Sequence, residues 1–222
     1  MINYYLLLPL LFLFSCEMKK NDSHSEEKNW GYRGECSPKK WHKLSTNYGL
    51  CQKGHKQSPI NIGIDTVASH HTLEVNYKES HEYLINNGHS VEMLYDNGSS
   101  IIFDDKIYDL VQFHFHTPSE HHLKDTTFPA EIHFVHRSPE GEHLVVGLLL
   151  KNGRFNKVIQ TVIQNAPKEI GENEEIEKIN IAEIYPENPQ YYFYEGSFTT
   201  PPCTENVKWI ILKRVFYPCP SL

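Results

Sequence analysis

No block of lysine and arginine stands anywhere in the 222 residues, and the formal charge is −7. The clustered positive charge that grips a nucleic-acid backbone is therefore missing, and nucleic acid is excluded as a partner. No run of the sequence is long and apolar enough to cross a bilayer. The longest at the N-terminus, YYLLLPLLFLF from Tyr4 to Phe14, is short and broken by Pro9, whereas a spanning helix needs about 20 residues. The five cysteines form no cluster at metal-ligand spacing, so nothing suggests a structural zinc site. There is no internal repeat, and the length favours one domain with a sizeable core over two small ones.

What is present at the N-terminus reads as an export signal. The apolar run suits a signal-peptide core, although the first residues lack Lys or Arg. It ends in LFSC, which resembles the lipobox of bacterial lipoproteins and predicts cleavage before Cys16 and lipid attachment to it. An ordinary cleaved signal or a buried strand are the other readings of the run. Residues 17–29, EMKKNDSHSEEKN, offer no apolar face to bury and read as a polar tether. The expected organisation is a signal over 1–15, a tether over 16–29 and one domain over 30–222. The mature protein is expected in the periplasm or at the outer envelope.

Beyond the tether, β-prone runs alternate with turn signals, as in YLINNGHSVEMLY, YDNGSSIIFDDKIYDL and AEIHFVHRSPEGEHLVVGLLLK. A mainly β fold follows, with a large, predominantly antiparallel twisted sheet and peripheral helices. One helix is expected in FNKVIQTVIQNAPKE, where Phe155, Val158, Ile159, Val162 and Ile163 fall at helical spacing ahead of Pro167. Residues 168–180 are acidic and read as loop.

The unusual stretch is LVQFHFHTPSEHH, Leu110 to His122. Side chains alternate faces along a strand, so Gln112, His114 and His116 share one face and Phe113 and Phe115 the other. In AEIHFVH, Glu131, His133 and Val135 share a face by the same period. A lone histidine on a strand is ordinarily a satisfied core or surface residue. A His-x-His pair beside a third histidine is different, because three neutral imidazoles suit a tetrahedral zinc with its fourth position open. Gln112 and Glu131 lie two residues from His114 and His133 on the same faces, where they can hold the second ring nitrogen of each. A competing pattern is also legible, since HFHTPSE reads as His-x-His-x-x-x-Glu, the cupin arrangement that binds iron or manganese. Its flanking glycines are absent, and PEGEH misses the second cupin element by one residue.

Six segments in order, WGY (30–32), QSPINI (57–62), NNGHSV (86–91), QFHFHTPSEH (112–121), AEIHFVH (130–136) and EGSFTTPPCTE (195–205), resemble the alpha-class carbonic anhydrases of the bacterial secreted type. The resemblance implies reversible hydration of carbon dioxide to bicarbonate and a proton, with one catalytic Zn2+ on His114, His116 and His133. It implies that Thr199 donates to a buried Glu120 and aligns the attacking hydroxide, and that His89 shuttles protons. It places carbon dioxide in a pocket formed by Val135, Val145, Phe198, Thr200 and Trp209, and gives Tyr32 and Asn87 the ordering of intervening water. It also pairs Cys51 with Cys203. Cys36 and Cys219 have no counterpart and are expected either to pair or to stay free. The family continues past the strand matching VKWIILK with a helix-containing segment and another strand, whereas this chain ends in RVFYPCPSL. An incomplete C-terminal part is therefore expected, and with it an alternative role as a catalytically impaired binding module or inactive fragment.

Overall fold

A computed structural model describes residues 30–63, 71–151, 156–185 and 189–213. The signal, the tether with Cys16, Phe155, Cys219 and the chain end after Lys213 lie outside the described residues. The strands are β1 (Asn61–Ile62), β2 (Leu73–Asn76), β3 (Ser80–Asn86), β4 (Val91–Tyr95), β5 (Ser100–Phe103), β6 (Lys106–His116), β7 (His122–Leu123), β8 (Ala130–Arg137), β9 (His143–Leu150), β10 (Asn173–Ile179), β11 (Tyr191–Ser197) and β12 (Glu205–Leu212). Among the described residues two helices accompany them, α1 (Leu50–Lys53) and α2 (Lys157–Asn165), together with short 3-10 turns.

Ten strands form one sheet in the order β10-β3-β4-β6-β8-β9-β12-β11, with β5 also on β6 and β2 on β5. The long β6 organises it. β5 pairs with its first half and β4 with its second half, while β8 runs along the opposite side. All pairings in this sheet are antiparallel except β12 with β9, and β1 and β7 make a separate parallel pair. The expected mainly β, predominantly antiparallel architecture is observed. Cupins are double-sheet barrels, so this open sheet removes the iron or manganese cupin reading.

The central strands are buried on both faces. On β12, Ile210 and Leu212 enter the larger core while Val207, Trp209 and Ile211 enter a smaller one on the other side. On β8, Ile132 and Phe134 belong to the larger core, and Glu131, His133 and Val135 point the other way. The site is therefore built on the face of the smaller core.

One local expectation is corrected and another, the helix, is observed. Residues 173–179 are not loop but the edge strand β10, paired with β3. NEEIEKI shows no alternation because the register shifts between Ile176 and Ile179, the two buried positions. Its acidic residues suit an edge that must not recruit another strand. On α2, Asn156 caps the first turn by accepting from the Ile159 N–H at 2.9 Å, and Val158, Ile159 and Val162 are buried. Ile163 is 43% exposed, since it falls at the edge of the buried stripe.

Cys51 on α1 and Cys203 after β11 form the expected disulfide across 152 residues. Among the described residues Cys36 is free. Reduction of Cys51–Cys203 is expected to lower unfolding free energy by about 2 to 5 kcal/mol. Denaturant titration with and without reductant, against a Cys51→Ser/Cys203→Ser variant, measures this. Identical midpoints in all samples would refute it.

Candidate metal centre and its cavity

A β-bulge decides which way the histidines point. Tyr108 and Leu110 of β6 enter the larger core, and strict alternation from them would send Gln112 and His114 there too. The register against β8 slips between Leu110 and Gln112, leaving Val111 as the extra residue, 43% exposed. After the slip Phe113 takes the core side and Gln112, His114 and His116 take the site face.

His114 then lies directly opposite His133 on β8. The ring centroids are 5.3 Å apart for His114 and His133, 4.5 Å for His116 and His133, and 4.9 Å for His114 and His116. One nitrogen from each ring lies within 4.8 Å of the others. The remaining nitrogens are partly spoken for. His114 Nδ1 is 2.8 Å from Gln112 Oε1, and His133 Nε2 is 2.9 Å from Glu131 Oε1, a close ion-pair contact rather than an aligned hydrogen bond. The two predicted orienting residues thus leave His114 Nε2 and His133 Nδ1 for the cavity. His116 Nε2 is buried with no hydrogen-bond partner among the described residues.

Burial, reinforced by neighbouring His133, lowers His114 to about 3 and His116 to about 2. Both are neutral near pH 7, the form in which imidazole ligates a metal. Burial pushes His133 down as well, but the Glu131 carboxylate more than offsets this. Burial likewise opposes ionisation of Glu131, yet His133 and His121 hold its carboxyl well below the usual range. Three convergent nitrogens, one of them buried and unpartnered, fit a divalent metal of nitrogen preference with an open fourth position. The neighbouring group His121, Glu131 and His133 is a hydrogen-bond network instead, because its atoms already engage one another.

That network escapes sequence reasoning. Glu131 is fully buried and accepts from the N–H groups of Glu120 at 2.9 Å and His121 at 2.8 Å. Its other oxygen accepts from His121 Nδ1 at 2.7 Å. His121 Nε2 meets the Tyr194 hydroxyl at 2.7 Å, which meets Ser58 Oγ at 2.8 Å. A chain of bonds thus links the third histidine to β11. Gly147, opposite His133 on β9, makes room for it. A Cβ there would stand 2.8 Å from Glu131 Oε1 and 2.6 Å from Ile211 Cδ1. Gly147→Ala is expected to displace Glu131 and weaken divalent-metal affinity roughly 10- to 100-fold. Competition with a chromophoric chelator reads this, and unchanged affinity would show that Glu131 does not orient His133.

The imidazoles open onto a cavity of about 240 Å³. Val135, Phe198 and Trp209 supply apolar wall, and Tyr32, Asn87, His89 and Thr200 supply polar lining. Val145, expected in the pocket, is not on the wall. It is fully buried in the smaller core beside its register partner Val135 and supports the surface from behind. Thr199 lines the cavity and hydrogen-bonds Glu120, whose carboxyl is raised by burial and partly restored by His133 and by this bond. Glu120 Oε2 is 3.5 Å from His116 Nε2 and 4.0 Å from His133 Nδ1.

Asn87 does more than line the cavity. Its Oδ1 accepts from the N–H groups of His89 and Ser90, both at 2.8 Å, and its Nδ2 donates to Glu92 at 2.8 Å. The turn bearing His89 is held by this side chain. The His89 ring stacks on Trp30, centroids 3.7 Å apart and planes within 8°.

Mostly antiparallel sheet, a three-imidazole centre and a threonine–glutamate pair at a cavity define a metal-site fold of one kind. The profile of the eukaryotic-type carbonic anhydrases matches residues 36–218, and the chain belongs to that family, the alpha class. A Nostoc carbonic anhydrase is 39% identical over 200 residues, covering 87% of this chain and 76% of the relative. The solved alpha-carbonic anhydrase of Thermovibrio ammonificans, in complex with sulfanilamide, has a TM-score of 0.83 at 37% identity, covering 86% of both chains. Dioscorin, solved with ascorbate, has a TM-score of 0.80 at 28% identity, covering 86% of this chain and 84% of its own. Residues of the site rather than the fold must therefore decide the chemistry.

Proposed function

We propose that this chain hydrates carbon dioxide reversibly to bicarbonate and a proton, with one zinc held by His114, His116 and His133. The observation that carries the reading is the convergence of three imidazole nitrogens beside Thr199 and Glu120. When bound, zinc supplies the Lewis acidity that makes a water nucleophilic near neutral pH.

Glu120 commits the Thr199 hydroxyl proton, so the Thr199 oxygen faces the cavity as an acceptor and selects the orientation of the attacking oxygen. Val135, Phe198 and Trp209 offer carbon dioxide a dry apolar wall, while Thr200 stands on the polar side where bicarbonate forms. Gln112 and Glu131 hold two of the imidazoles in their ligating tautomers. His89 takes the released proton at its ring and passes it to external base, across water ordered by Tyr32 and Asn87.

Export fits this reading, because the Cys51–Cys203 disulfide suits an oxidising compartment. The lipid anchor at Cys16 rests on the sequence alone, and labelling with radioactive fatty acid in wild type and Cys16→Ser tests it.

Stopped-flow carbon dioxide hydration by the chain from Glu17 onward, with zinc measured on the same sample, tests the function. Zinc-dependent turnover inhibited by a sulfonamide is expected. Folded, zinc-loaded protein without turnover would replace the enzyme with a binding module.

A further inference from the structure

A second cavity, about 530 Å³, lies outside the first and shares Trp30, Tyr32, Asn87 and His89 with it. Its remaining lining comes from Gly31, Arg33, Gly88 and Ile170. His89 therefore borders both spaces. The inner one leads to the three imidazoles and the outer one to solvent.

The walls of the outer cavity are held by the fold. Trp41 Nε1 donates to the carbonyls of Gly31 and Cys36 at 2.8 and 2.9 Å, and the Gly31 N–H donates to Cys36 at 2.9 Å. These bonds close the loop that carries Arg33. On the facing side, Asn86 Nδ2 donates to the carbonyls of Pro167 and Lys168, both at 3.2 Å, and its carbonyl accepts from the Gly171 N–H at 2.8 Å. The segment bearing Ile170 is thereby fastened to the turn that bears His89.

Among the described residues, Arg33 is the one cationic side chain lining this space, and it pairs with no carboxylate. The nearest acid along the chain, Glu35, is paired with Lys40. Across the cavity, the Glu172 carboxylate accepts from the Glu169 N–H at 3.2 Å, and neither acid lines the space. A molecule of net charge −7 repels anions at its surface, so an anion reaches His89 readily only where a local cation offsets that field. A guanidinium presents a planar fork of donors matched to oxyanions.

We propose that the outer cavity is a docking site for small oxyanionic bases of the hydrogen phosphate class, held by Arg33 beside His89, from which they take the proton. This rests on the carbonic anhydrase reading and adds to it the place and chemical class of the proton acceptor. In the step, the N–H bond of the His89 imidazolium breaks and an O–H bond forms on the dianion. The products are neutral imidazole and dihydrogen phosphate, and no other reactant is needed. Hydrogen phosphate suits the exchange because it is a base that carries the negative charge Arg33 attracts.

The test titrates the zinc-loaded chain with sodium phosphate at constant ionic strength and follows the ring nitrogen resonances of His89, assigned against His89→Gln. A saturable shift is expected in wild type, with half-saturation rising about 10-fold in Arg33→Gln. The ratio of phosphate-supported to imidazole-supported hydration is expected to fall in step, because free imidazole carries no charge for Arg33 to attract. Equal titrations in wild type and Arg33→Gln, or a shift that never saturates, would overturn the docking site. A normal Arg33-dependent shift with no hydration in either buffer would instead overturn the enzyme reading and the proton step with it. The resonance readout thus separates the two failures.

Discussion

His116→Ala is expected to leave a folded protein that retains no zinc through dialysis and hydrates carbon dioxide no faster than buffer. Loss of an orienting neighbour alone weakens metal sites roughly 10- to 100-fold, and removing one of three protein ligands takes away more. The fold is expected to survive because His116 ends β6, whose pairing to β8 is made by backbone groups. Its Nε2 is also buried without a partner among the described residues, so without metal the imidazole carries an uncompensated desolvation cost. The metal-free variant should therefore be as stable as metal-free wild type or slightly more so.

The clearest readout is the zinc-dependent rise in melting temperature. A ligand that binds only the folded state stabilises it by RT ln(1 + [L]/Kd), about 4 kcal/mol at a thousandfold excess over Kd. Wild type should show that rise and His116→Ala should not. Turnover in the variant at more than a trace of the wild-type rate, with zinc retained, would show that the three-imidazole centre is not the seat of the reaction.

Much of this centre is legible in the sequence because strand periodicity is local. Gln112, His114 and His116 fall on one face by alternation, and so do Glu131, His133 and Val135, without knowledge of what the strands pack against. The bulge at Val111 is only half legible: apolar residues stand at 108 and 110 and then at 113 and 115, so the phase must change near Val111, but only the partner strand shows which residue is extra. His121 and Tyr194 are hidden for a different reason. Neither belongs to a periodic pattern that points at the site: His121, between β6 and β7, reaches Glu131 on β8, and Tyr194 on β11 reaches His121, only through the tertiary fold. Edge strand β10 is missed because its buried residues, Ile176 and Ile179, straddle an irregularity and the rest of its composition is that of a solvated loop. Val145 shows the limit of transfer by motif. Its position marks a pocket residue, and the packing places it just behind the wall.

The second large effect lies away from the site, at Glu82 in the middle of β3. Its neighbours in register are Tyr95 on β4 and Ile176 on β10, and it is fully buried. Neither carboxylate oxygen has a hydrogen-bond partner among the described residues. The groups around it offer no cation: the Tyr95 hydroxyl donates to Lys78 and Ile179 carbonyls, and nearby Glu79 is paired outward with Lys178. Burial accordingly raises Glu82 from 4.5 to about 8. A carboxyl raised on folding keeps its proton in the native state while the unfolded chain loses it, so stability falls between pH 4.5 and about pH 8 and levels off above. The span from 4.5 to about 8 sets an upper limit of roughly 5 kcal/mol on this loss. Glu82→Met, similar in volume and without a charge to bury, is expected to be more stable than wild type by a few kcal/mol at pH 8 and by much less at pH 5. Glu82→Gln should flatten the pH dependence equally while gaining less, since its amide is also buried unpartnered. Urea unfolding of all three proteins across this pH range decides the matter. A gain for Glu82→Met that is the same at both ends would mean that Glu82 is not protonated in the native state. Because β3 runs directly into the turn that holds His89, amide protection along Ser80–Asn86, corrected for the intrinsic pH dependence of exchange, should fall in wild type between pH 5 and pH 8 and change little in Glu82→Met.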